Sequence, residues 1–167
     1  TGGASVFTLA AGKTIDTTGN STVGLGSAGG NIDIDARGGI TLGGDLTADG
    51  GVANAGAVGF AGGAITLDVS VAAGPISIST NADISAKGSA ASNGDGGAGG
   101  TVTIGTNNAD IILNDTEIDT TGGAGAGGGN QGGGGNVTFN DEVTLATGAV
   151  TINTGATGGI IDFKDTL

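Results

Sequence analysis

The sequence contains no cysteine, histidine, methionine, tryptophan or tyrosine. Without histidine or cysteine it can build no Ser-His-Asp triad, no thiolate nucleophile, no zinc site and no haem ligation. Disulfide staples are excluded too, although that identifies no compartment. A single proline, Pro75, and the lack of a three-residue glycine period rule out a collagen helix. Cations are scarce: Lys13, Arg37, Lys87 and Lys164 stand against sixteen acidic residues, for a net charge of −12. That balance argues against nucleic acid and anionic membrane surfaces as partners. No apolar run approaches the ~20 residues of a membrane-spanning helix, so no membrane insertion is expected. No secretion signal is visible, and a chain opening on Thr1 reads as a processed or excised piece.

Strong helix formers are the next absence. Glu, Gln, Lys and Arg together number seven, while Ile and Val outnumber Leu by 25 to 8. A chain poor in straight-chain polar residues and rich in β-branched ones predicts an all-β fold. Its 167 residues suit one domain, 1–167. Forty glycines punctuate it.

Those glycines mark a repeat. A pair of glycines followed by a short apolar alternation occurs five times, before Ile32/Ile34, Ile65/Leu67, Val102/Ile104, Val137/Phe139 and Ile161/Phe163. A second motif precedes the pairs: Ile15-Asp16-Thr17-Thr18-Gly19 matches segments beginning at Leu46, Ile84, Ile118 and, in shorter form, Ile152. A third apolar stretch lies between them, at Ile40/Leu42, Ile76/Ile78, Ile111/Leu113 and Val143/Leu145, with Phe7/Leu9 as the same element in a rung lacking its first strand. Three short period-2 strands per repeat, with no helix to cover a sheet, predict a right-handed parallel β-helix of about five rungs. The repeats differ in length after the third strand, at 51–63, 89–100 and 123–135, so Gly-rich loops are expected at one corner, with glycine supplying positive φ at the tight turns.

The columns follow from this register. Ile15, Leu46, Ile84, Ile118 and Ile152 should form one inward ladder, and Ile32, Ile65, Val102, Val137 and Ile161 another, at ~4.8 Å spacing. The outward columns Asp16, Thr47, Ser85, Asp119, Asn153 and Asp33, Thr66, Thr103, Thr138, Asp162 alternate carboxylates with neutral rungs. That avoids stacked like charges, which repel by ~0.9 kcal/mol even in water.

Phrases such as GGNIDIDARGGITLGGDLTADGG and GGNVTFNDEVTLATGAVTINTG resemble the repeats of filamentous-haemagglutinin-type proteins, the secreted adhesins of two-partner secretion. The resemblance extends over essentially the whole chain. It implies a β-helical fibre on a bacterial surface: an extracellular structural segment, not an enzyme, with no cofactor. Its partners would be copies of itself or adjacent repeats head to tail, and a host or neighbouring-cell surface. The chain itself supports that pairing. It opens at a second strand and closes at a first one, so joining Leu167 to Thr1 would space the glycine pairs by 38 residues, beside gaps of 33, 37 and 35.

Sharper functions compete with this one. Asn93-Gly94-Asp95-Gly96-Gly97 faintly resembles a calcium-binding nonapeptide, though without tandem copies, and Asp95 is a calcium candidate only on that basis. Asp115, Glu117 and Asp119, with Asp110, form the densest acidic run, where solvated surface charge competes with cation binding. Glycoside cleavage needs two carboxylates, but also aromatic and basic platforms that are scarce here. Three of the four phenylalanines fall at inward positions, and Phe60 lies in a loop where it could cap the core. The Gly-rich stretch 123–135 lacks the lysine of a phosphate-binding loop. The stacked run Thr66, Thr103, Thr138 raises ordered water, as on an ice-binding face. These alternatives together define a ligand-binding solenoid for ice, carbohydrate or calcium.

Overall fold

The computed structural model describes residues 5–21, 26–70, 74–105 and 109–167. Thr1, at the expected join, lies outside them. Fifteen strands and no helix occur among these residues. Rung 1 is β1 (Phe7–Leu9), β2 (Thr14–Asp16) and β3 (Ile32–Ala36). Rung 2 is β4 (Ile40–Leu42), β5 (Asp45–Thr47) and β6 (Ile65–Val69); rung 3 is β7 (Ile76–Ile78), β8 (Ile84–Ser85) and β9 (Val102–Ile104). Rung 4 is β10 (Ile111–Asn114), β11 (Glu117–Asp119) and β12 (Val137–Phe139); rung 5 is β13 (Val143–Thr147), β14 (Thr151–Asn153) and β15 (Ile161–Phe163). Every third strand joins one of three five-stranded sheets, and every pairing between named strands is parallel. The fold is a parallel β-helix.

The chain coils because no strand is long enough to bury its apolar side against anything but the other two faces. Alternate residues point inward, and the register stacks like on like: Ile15 on Leu46, Leu46 on Ile84, Ile84 on Ile118 and Ile118 on Ile152. Ile32, Ile65, Val102, Val137 and Ile161 stack likewise. Burial depends on rung. Leu46, Ile84, Ile118, Ile65, Val102 and Val137 are fully enclosed, whereas Ile15 and Ile152 are only partly covered and Ile161 is 41% exposed. Ile15, Ile152 and Ile161 keep the register with a strand on one side only, whereas Ile32 on rung 1 is buried. Phe163 stacks on Phe139 at 4.8 Å with the rings nearly parallel.

Two features depart from the sequence reading. Strands β3 and β6 run two residues longer than the repeat suggests, and this pairs Asp35 directly with Asp68 on the outer face. The avoidance of stacked carboxylates therefore holds in the two columns named above but not in this one. The Gly-rich corner also differs from a set of plain loops. The excursions bond to one another: Gly62 donates to Ala98 at 2.9 Å, Gly99 to Gly133 at 2.8 Å, Gly123 to Gly97 at 2.8 Å and Gly132 to Gly123 at 2.8 Å. Gly132 to Gly123 closes the third excursion on itself, while the other three, with Gly96 donating to Asn130 at 2.9 Å, form a second backbone ladder beside the coil. Glycine is needed there for close approach: a Cβ on Gly123 would overlap the carbonyl of Ser89. Positive φ falls on other glycines, in this corner at Gly94 (φ 92) and elsewhere at Gly148 (φ 72), at the corner before β14. One rung earlier the same corner is turned by Asp115 at φ 42.

Candidate functional site

The outer surface is organised in columns, and its acidic residues are tied into the frame. At the corner leading into the second sheet, the Asp45 carboxylate accepts the N–H of Asp83 at 3.1 Å, and the Asp83 carboxylate accepts the N–H of Glu117 at 3.0 Å. Each caps the rung beyond it. Asp49 does the same for Lys87 at 2.7 Å, accepts the Ser85 hydroxyl at 2.6 Å, and faces the Lys87 ammonium at 3.7 Å. Amides take the same part elsewhere: Asn31 accepts from Ala64, and Asn136 from Ile160. A short side-chain oxygen at a corner thus satisfies a backbone donor that the turn leaves outside the strand ladder.

The four calcium candidates are dispersed over this frame. Asp95 lies in the glycine corner, where its carboxylate accepts the Asn130 N–H at 2.7 Å. Asp115 and Glu117 line one shallow depression with Asn81, Asp83, Thr116, Ala149 and Thr151, and the Asp115 carboxylate accepts the Ala149 N–H at 3.3 Å. Asp119 borders the next depression with Asp83, Lys87 and Glu117, and its carboxylate accepts the Thr121 N–H at 2.9 Å. Asp110 sits apart, at a different corner, with Asp141, Glu142 and Asp165. Among the described residues, no group of three or more carboxylates is arranged to hold a metal ion. The sequence run Asp110–Asp119 is therefore divided between two corners by the strand β10 within it.

Asp16 shows the related short-range device. The Thr18 hydroxyl and then the Thr18 N–H, at 2.8 Å, hold its carboxyl below the usual carboxylate range. Asp119 and Asn153, in the same column, accept from Thr121 and Gly155 in the same way.

The threonines Thr66, Thr103 and Thr138 stack in register, closed off by Asp33 and Asp162. Phe60 is partly buried in the glycine corner, where its ring lies against Gly26 and its N–H donates to the Ser89 hydroxyl at 2.9 Å.

Large apolar side chains are exposed in the glycine corner, at Val52 and Val58, and on the outermost rungs. Val6 is 56% exposed on the first rung, and Leu145 and Ile160 are 55% and 61% exposed on the last. Sequence reasoning did not find the gathering of acidic residues at two corners. The signal was present as the repeat phase: Asp83 and Glu117 occupy one column, and so do Asp110 and Glu142. No family model, curated protein or solved structure matches the chain.

Proposed function

We propose that the chain is a structural shaft segment of an extracellular bacterial fibre or adhesin, whose units stack end to end through strand pairing. The observation that carries this reading is the continuity of the inward ladders. They run unbroken and in strict register from rung 1 to rung 5. A coil in which each rung is paired in parallel with the next is extended by further rungs in the same register. The likeness of the repeats to filamentous-haemagglutinin-type sequences supports the same conclusion, and so does an acidic surface that keeps neighbouring shafts apart. Each unit would contribute about 24 Å of length, at ~4.8 Å per rung.

Sedimentation and electron microscopy over a concentration series test the assembly. Rods of constant width, growing in steps of one unit, are expected. A compact monomer at every concentration would overturn this function. Antibody labelling of intact source cells tests the location, and the epitopes are expected to be accessible without lysis.

A further inference from the structure

Three dipeptides in the chain set a glycine after an asparagine or aspartate: Asp49-Gly50, Asn93-Gly94 and Asp95-Gly96. In such a pair the glycine nitrogen, with no side chain to hinder it, can attack the preceding side-chain carbonyl and close a five-membered imide. All three lie at or within the glycine corner, and the geometry requires glycine there. Gly94 has φ 92, and a Cβ on Gly50 or Gly96 would overlap the carbonyl of Phe60 or Gly123.

In each pair the next rung holds the attacking nitrogen. The Gly50 N–H donates to the Lys87 carbonyl at 2.8 Å, the Gly94 N–H to Ala126 at 2.7 Å and the Gly96 N–H to Asn130 at 2.9 Å. Ala126 returns a bond, its N–H donating to the Gly94 carbonyl at 2.8 Å, so the two residues form an antiparallel bridge. The aspartate side chains are held as well, Asp49 by Ser85 and Lys87 and Asp95 by the Asn130 N–H. Asn93 differs. Its side chain is exposed and rests over Gly127, where a Cβ would overlap its amide.

We propose that Asn93 is a self-modification site gated by the excursion 123–135. It is closed while Gly94 is bridged to Ala126 and open to deamidation when that excursion lifts. In the open state a base removes the Gly94 N–H proton and the nitrogen bonds to Asn93 Cγ. The Cγ–Nδ2 bond breaks, and the nitrogen takes up a proton from water and leaves as ammonia. Water then opens the imide. Breaking its bond to Cγ gives aspartate. Breaking its bond to the main-chain carbonyl carbon gives isoaspartate, whose backbone runs through one extra methylene. Both products add a negative charge close to Asp95, and isoaspartate moves Gly94 out of step with Ala126. The reaction therefore records an opening of the corner and hinders its reclosure.

Hydrogen exchange at the Gly94 N–H needs the same opening and the same loss of a proton, so the two rates are linked. Peptide mass spectrometry after incubation at mildly alkaline pH follows the conversion of Asn93. It should be at least about tenfold slower in the folded chain than in the same chain unfolded in urea. Equal rates would overturn the gate. Gly129→Ala, whose Cβ would overlap the Gly94 carbonyl, should raise the folded-state rate at least about threefold, while Gly133→Ala, which meets nothing close, should leave it unchanged. Circular dichroism checks that both variants fold. A folded Gly129→Ala chain that deamidates no faster than the unmodified one would also overturn the proposal. If Gly129→Ala does not fold, the unmodified chain in urea below its unfolding transition decides the question. Asn93 conversion and Gly94 exchange should then rise in proportion, and conversion that ignores the exchange rate would contradict the gate.

Discussion

At the scale of single residues, the structure separates two reasons for the same amino acid. Gly123 has ordinary backbone angles and lies where a methyl group would overlap the carbonyl of Ser89, whereas a Cβ on nearby Gly133 would meet nothing closer than Thr157 O at 3.8 Å. Gly123→Ala should lower the urea midpoint clearly, by roughly 1–3 kcal/mol of stability, and Gly133→Ala should leave it nearly unchanged. From the sequence these two glycines are equivalent members of one run. Only the neighbouring excursions distinguish them, and those are dozens of residues away in the chain. The core ladder was easier to read, because period-2 alternation shows directly which residues face inward. What it does not show is depth. Ile84 is enclosed by rungs on both sides, while Ile161 has one side open. Ile84→Ala should cost about 2–5 kcal/mol and Ile161→Ala under about 1 kcal/mol, in matched denaturation curves. Asp16 offers a pH test. Its carboxyl is held below the ordinary range by Thr18, so whatever it contributes is present above the unfolded carboxylate pKa and is lost as pH falls through the lowered folded value. A carbon-detected NMR titration should place Asp16 below a peptide aspartate, and Thr18→Ala should move it upward.

Among the elements, the strands and their order were legible because each is a repeat of the one before, with apolar residues in fixed phase. The extra length of β3 and β6 was not, since it stacks Asp35 on Asp68 outside the two columns in which carboxylates alternate with neutral residues. The glycine corner was legible as a place but not as a structure. Composition indicates tolerance of turns, and it carries no trace of the bonds that make these excursions a ladder. The acidic corners were misjudged for a related reason. Read along the chain, Asp110 to Asp119 form one cluster; around the coil they are two. The Asp83 and Asp115 carboxylates cap backbone donors of the following rung, so Asp83→Ala should cost about 0.5–1.5 kcal/mol through the orphaned Glu117 N–H, while Asp83→Asn, which keeps an acceptor, should cost less. Thermal melts of the two variants compare the losses.

For the whole molecule, one principle organises the rest: backbone bonds run from rung to rung on all three faces and also through the glycine corner. A shaft built this way resists local opening, because freeing one excursion breaks bonds to the rungs above and below it. The outermost strands of each sheet are the exception, each paired on one side only. Stability should therefore be highest at rungs 2–4 and fall toward rungs 1 and 5. Native-state amide hydrogen exchange tests this most directly. The prediction is that the N–H groups of Gly62, Gly96, Gly99 and Gly123 exchange as slowly as those of Leu46, Ile84 and Val102 in the strands beside them, with faster exchange at Phe7 and Lys164. Glycine-corner amides exchanging at unprotected rates while the strands stay protected would contradict the second ladder and return that corner to ordinary loops.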